Sequence, residues 1–168
     1  MSKFISSDSL DWTPFSIGTP VKPRPLNTID GLIDRIRTAA FAERQAYYAF
    51  HEAARIFKDE VPAELIKDWQ RIAEEEKKHE TWLLKRMQEL GYDIAEFPVS
   101  LGLYNSFCKC ESAREFTLYI SDSEEKGRLA GVKFAESLKS HDPESARIFT
   151  AIAVEELDHI SLASKYFL

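Results

Sequence analysis

The tetrapeptide pattern Glu-x-x-His occurs twice in the chain, as Glu76-Lys77-Lys78-His79 and as Glu156-Leu157-Asp158-His159. On a helix this spacing sets a carboxylate and an imidazole nearly one turn apart on one face, so both can reach a common point. A further glutamate precedes each motif at nearly the same distance: Glu43 lies 33 residues before Glu76, and Glu124 lies 32 before Glu156. The chain thus reads as a divergent internal repeat, each half bringing one Glu and one Glu-x-x-His.

All six residues fall on stripes otherwise spaced for a hydrophobic core. Leu65, Trp69, Ile72, Glu76, His79, Leu83 and Leu90 share one helical face, and Phe149, Ile152, Glu156, His159 and Ala163 another. Ile36, Ala40, Glu43, Tyr47, Phe50 and Ala54 form a third, and Ile120, Glu124, Gly127, Gly131 and Phe134 a fourth. Burying a lone carboxylate costs several kcal/mol, so four of them need a common counter-charge. Two metal ions supply it. Four carboxylates with two neutral imidazoles offset the charge of two Fe(II), and the donor set suits iron or manganese, as Fe/Fe, Mn/Fe or Mn/Mn. Glu125 competes with Glu124, because adjacent helical residues point about 100° apart and only one can face the axis. Glu124 shares its stripe with Gly127 and Gly131, which leave room. The Glu125 stripe carries the bulkier Leu118, Leu129 and Val132.

Four amphipathic segments must position these residues. Asn27 or Thr28 can cap the first, and the 3.6-residue period runs to about Lys58. Pro62 suits the first position of the second, and Gly91 its stop. Ser112 with Glu115 forms a capping box for the third, and Asp142-Pro143 opens the fourth. The expected helices are 28–58, 62–90, 113–139 and 143–167. The short first and third links make antiparallel hairpins, and the long 92–111 connection crosses the length of the bundle. The fold class expected is all-α, a four-helix bundle over 28–168. Residues 1–27 hold Pro14, Pro20, Pro23 and Pro25 and read as an extended arm; Trp12, Phe15 and Ile17 suggest that it packs on something.

Composition narrows the function classes. A formal charge of −6 argues against non-specific nucleic-acid binding. No run approaches the roughly 20 apolar residues of a membrane span, and no secretory signal is visible, so the expected location is cytoplasmic. Cys108 and Cys110 are the only cysteines, too few for a zinc site and read as reduced thiols.

The pattern resembles the ferritin-like di-iron carboxylate superfamily, which includes ferritins, rubrerythrins, ribonucleotide reductase small subunits and multicomponent monooxygenases. More narrowly, Trp69–Gly91, Glu155–Phe167 and the Pro-rich arm are similar to a family of uncharacterised bacterial ferritin-like proteins. The resemblance implies Glu43, Glu76, His79, Glu124, Glu156 and His159 as ligands, with Glu76 and Glu156 bridging. It also implies that Glu75 and Glu155 accept the N–H of the opposite half's ligand histidine; a plain surface charge is the other reading of each. Tyr47, one turn after Glu43, reads either as a redox-active or hydrogen-bonding phenol or as core packing. His51 and His141 lack ligand spacing.

The function expected is a non-haem dinuclear oxidoreductase, oxidase or monooxygenase in type, that activates O2 or peroxide against an unknown small-molecule substrate. Rubrerythrins carry a four-Cys electron-transfer domain; these 168 residues hold no such cluster, so a separate reductant is expected. A ferroxidase or iron-handling protein is the alternative, as is an RNA-modifying enzyme resembling ferritin-like tRNA hydroxylases. A homodimer is compatible with each.

Overall fold

A computed structural model describes residues 2–168. The described residues are helical with no β-strand, and they form two compact units, Met1–Glu111 and Ser112–Leu168. No helix among them is long and apolar enough to cross a membrane.

The first unit is built on α1 (Ile29–Ile56) and α2 (Ala63–Glu89), which pack along one another as a hairpin. Thr28, not Asn27, caps α1: its hydroxyl accepts from Gly31 N at 3.0 Å. Pro62 stands one position outside α2, with extended backbone, as its N-cap. α2 ends in a Schellman turn. Gly91 takes φ +78°, its N–H donates to Gln88, and Tyr92 N donates to Met87 O at 3.2 Å. Ile33, Ile36, Phe50, Leu65, Trp69 and Ile72 are fully buried, as their spacing requires, whereas Ile29 at the head of α1 is exposed.

The arm belongs to this unit. Phe4, Trp12 and Phe15 are buried, and the Trp12 ring meets Phe41, Tyr48 and Tyr104 at centroid distances of 5.5, 5.0 and 5.6 Å. Ser16 to Gly18 pair with Val99 in an isolated parallel bridge. Arg24 grips the buried Asp34 of α1 through its backbone N–H, Nε and Nη2 at 2.8–2.9 Å. The connection from 92 to 111 is more regular than its broken period suggests. It contains a 3-10 turn at Ile94–Glu96 and a short helix, α3 (Gly102–Phe107). Buried Gln45 pins α3 by accepting from Tyr104 N at 2.9 Å.

The second unit is the hairpin of α4 (Ala113–Leu138) and α5 (Pro143–Ile160), followed by α6 (Leu162–Phe167). Ser112 caps α4 through Glu115 N at 3.1 Å, and Asp142 caps α5 through Ser145 N at 3.2 Å. The fourth predicted helix is interrupted at Ser161. Its N–H is shared between Leu157 O and Asp158 O, each at 3.2 Å, and its hydroxyl donates to Asp158 O at 2.6 Å. That extra local bond tightens the turn enough to end one helix and start another.

Candidate metal centre

In the first unit α1 contributes Glu43, and α2 contributes Glu76 and His79. Glu76 and His79 are fully shielded and Glu43 nearly so. His79 Nδ1 lies 3.7 Å from a Glu43 oxygen and 3.8 Å from a Glu76 oxygen. These separations exceed hydrogen-bond length. They are, however, what two ligands on one ion show, since atoms each about 2.1 Å from a common centre lie about 3–4 Å apart. Electrostatics agree. Burial, and then the like charge of Glu76, hold the Glu43 carboxyl well above the usual carboxylate range. Burial pulls the His79 imidazolium down, but Glu43 and Glu76 outweigh it and push the group up to about 11. The pocket thus demands positive charge, and a proton on His79 meets part of the demand.

The surroundings hold these side chains in place. Trp82 lies against the His79 ring at 5.4 Å between centroids. Glu80, next to His79, is buried as well, and burial raises its carboxyl while Arg44 opposes that rise. Arg44, next to Glu43, donates from Nε to Glu80 at 2.9 Å and from Nη1 to the Asp11 and Thr13 carbonyls at 2.9 and 3.0 Å. One guanidinium therefore ties the arm, α1 and α2 together beside Glu43 and His79. Glu80 went unnoticed in the sequence, where it looks like one more charge in an acidic helix; the adjacent Glu43-Arg44 pair was the available signal.

The second unit repeats the set. Glu124 on α4 and Glu156 and His159 on α5 are buried, and His159 Nδ1 lies 3.9 Å from a Glu124 oxygen. Glu125 is half-exposed and forms a bidentate pair with Arg128 at 2.8 Å in both arms, which holds its carboxyl below the usual range. Leu129 and Val132, on the Glu125 side, are exposed. Gly127 is exposed too, and a Cβ there would meet nothing within 4 Å, so it does not line the core as its stripe suggested. Gly131 is buried, facing Phe149. Two buried groups of Glu and His side chains that could hold metal ions are thus present among the described residues.

Other expected residues lie farther out. Glu75 is half-buried and accepts from Arg71 Nη1 at 3.1 Å; Glu155 is half-buried on α5. Tyr47 is not core. It is half-buried with its ring 5.2 Å from Tyr48, 4.8 Å from His51 and 5.6 Å from Lys77 Nζ. His51 pairs with Glu74 at 3.3 Å, His141 is exposed, and Cys108 and Cys110 are half-buried and outside any disulfide.

One family covers this fold and site. The chain belongs to the family described as protein of unknown function (DUF455), which it matches over residues 17–168. The match takes in both hairpins, all six buried Glu and His residues and the end of the arm from Ile17 onward. No curated protein and no solved structure matches the chain.

Proposed function

We propose that this DUF455 protein is a ferritin-like dinuclear metal carboxylate protein, its two hairpins forming a four-helix bundle with the 92–111 segment as the long crossover. In this reading Glu43, Glu76 and His79 of the first unit and Glu124, Glu156 and His159 of the second supply the ligands. The observation that carries it is the repetition: two hairpins each bury one Glu and one Glu-x-x-His, with the histidine Nδ1 3.7–3.9 Å from carboxylate oxygens. Donor chemistry fits the group. Four carboxylates and two imidazoles are hard-to-borderline ligands, and their crowded charge favours two divalent cations such as iron or manganese.

When bound, such a pair supplies activation of O2 or peroxide for oxidation of a small-molecule substrate, with electrons from a separate reductant. The chain's own work is geometric and electrostatic. Glu-x-x-His on α2 and on α5 fixes carboxylate and imidazole on one face. Arg44 and Glu80 brace the α1–α2 pair beside it, and Trp82 covers the His79 ring. Trp69, Ile72 and Leu83 on α2 and Phe149 and Ile152 on α5 keep water from the ligand rows. His79 must surrender its proton for Nδ1 to bind an ion, so loading releases protons and weakens as pH falls.

Anaerobic loading with Fe(II) followed by O2 tests this reading. About two ions per chain, together with O2-dependent changes in absorbance and Mössbauer spectrum, are expected. One ion or none after loading refutes it.

A further inference from the structure

Four helical hydroxyls in this protein fold back on their own helix. Thr81, Ser106, Thr117 and Thr150 each donate to the carbonyl four residues back, at 2.8–2.9 Å. Ser121, one turn after Thr117 on α4, does not. It is 6% exposed, and its Oγ, shielded from solvent, has no hydrogen-bond partner among the described groups. Folding back on Thr117 O is the default for a buried helical serine, because an unmet buried hydroxyl is costly. An orphaned group of this kind in a native fold points to a role outside the fold itself.

Its position says which role. Ser121 precedes Glu124 by three residues on the same helix, so the two share the buried face of α4. Glu124 lies beside His159 in the second unit's ligand set. A neutral hydroxyl there adds no charge to a site already crowded with carboxylates. It offers one O–H donor and suits a small anion bound at a metal site that Glu124 and His159 would serve.

We propose that Ser121 is a ligand-binding residue, its Oγ–H donating to a small exogenous anion of dioxygen size at the metal pair. The inference rests on the dinuclear reading and adds to it the residue that receives the exogenous ligand.

The test uses the full chain and two readouts. In iron-loaded, oxidised protein, azide is titrated and followed by its charge-transfer absorbance. Ser121→Ala is expected to weaken azide binding about tenfold, the loss of one hydrogen bond to a charged group, with metal content unchanged. Without added anion, the same variant is expected to melt about 2–4 °C higher than wild type, because a buried unmet hydroxyl is gone. Ser123→Ala on the same helix sets the baseline for helix propensity alone and should fall short of that gain. Unchanged azide affinity with both metals bound overturns the proposal and leaves the dinuclear reading standing. A lower melting temperature overturns it too, since it shows the hydroxyl to be structural. Wild-type protein that takes up no metal pair overturns both.

Discussion

The two hairpins carry the same donors at the same spacing, but their supports differ. On α1 and α2 stand ionic braces built on buried carboxylates: Asp34 with Arg24 and Arg37, Glu52 with Arg55, and Glu80 with Arg44. The arm and the 92–111 segment add Trp12, Phe15, Tyr104 and Phe107, all buried. On the α4–α5 hairpin the arginine pairs Glu125–Arg128 and Glu144–Arg147 lie at the surface, and Leu129, Val132, Val154 and Leu157 are exposed. Donor placement therefore needs only helix periodicity and a hairpin. The braces add support around a buried Glu and His row, and a repeat can keep the first while its halves diverge in the second.

If the halves are equivalent in chemistry, ligand loss in either must cost metal alike. Glu76→Ala and Glu156→Ala are each expected to lose at least one of the two ions, measured by metal analysis after reconstitution. Glu124→Ala should behave as they do, and Glu125→Ala should keep both ions, because Glu125 is engaged with Arg128 at the surface. A metal-depleted Glu125→Ala protein would place the α4 register one residue off.

If the halves differ in support, backbone crowding should separate them. A Cβ on Gly31 would fall 1.8 Å from Pro25 O, a backbone atom that cannot swing aside. Gly31→Ala should therefore lift the arm from α1 and cost about 3 kcal/mol, at the upper end of overpacking, read by chemical denaturation. Asp34→Asn strikes the same junction through charge. It should cost about 2–3 kcal/mol at neutral pH, the range for hydrogen bonds to a charged group. The Arg24 guanidinium beside Asp34 holds its carboxyl below the ordinary value of 3.8. A depressed folded-state value means the stabilisation is whole above the unfolded-state value and drains as pH falls through the folded one. The gap between wild type and Asp34→Asn should thus be constant above about pH 5 and close progressively below pH 3.8. A gap that persists at low pH would assign the role of Asp34 to packing.

Sequence made the helices and the buried Glu and His rows legible because both rest on local rules: period, caps and spacing. Thr28, Ser112, Asp142 and Gly91 punctuate the chain where their chemistry allows. What stayed hidden depends on neighbours distant in sequence. Asp34 and Arg37 look like exposed helical charges until the arm and the 92–111 segment pair them, and Glu80 does until Arg44 of α1 pairs it. α3 was missed because six residues carry too little period to show. Gly127 misled for the opposite reason: it fits a stripe by number alone, and the helix has already turned it outward.

Gly127 also gives the smallest expected effect and the finest test of the contrast. It sits one turn after Glu124, within α4, with open space where a side chain would be. A glycine inside an exposed helix costs about 1 kcal/mol relative to alanine, through backbone entropy. Nothing in the surroundings opposes the methyl group, so Gly127→Ala should stabilise the protein by about 1 kcal/mol, read as a shift of the denaturation midpoint at constant slope. Metal content should be unchanged. Gly31→Ala, the same substitution in the braced unit, has the opposite sign, because there the missing Cβ is what admits the arm. Should Gly127→Ala instead lose metal, the space beside Glu124 is needed by the ligands, and the second hairpin is packed more tightly around its donors than its exposed surface implies.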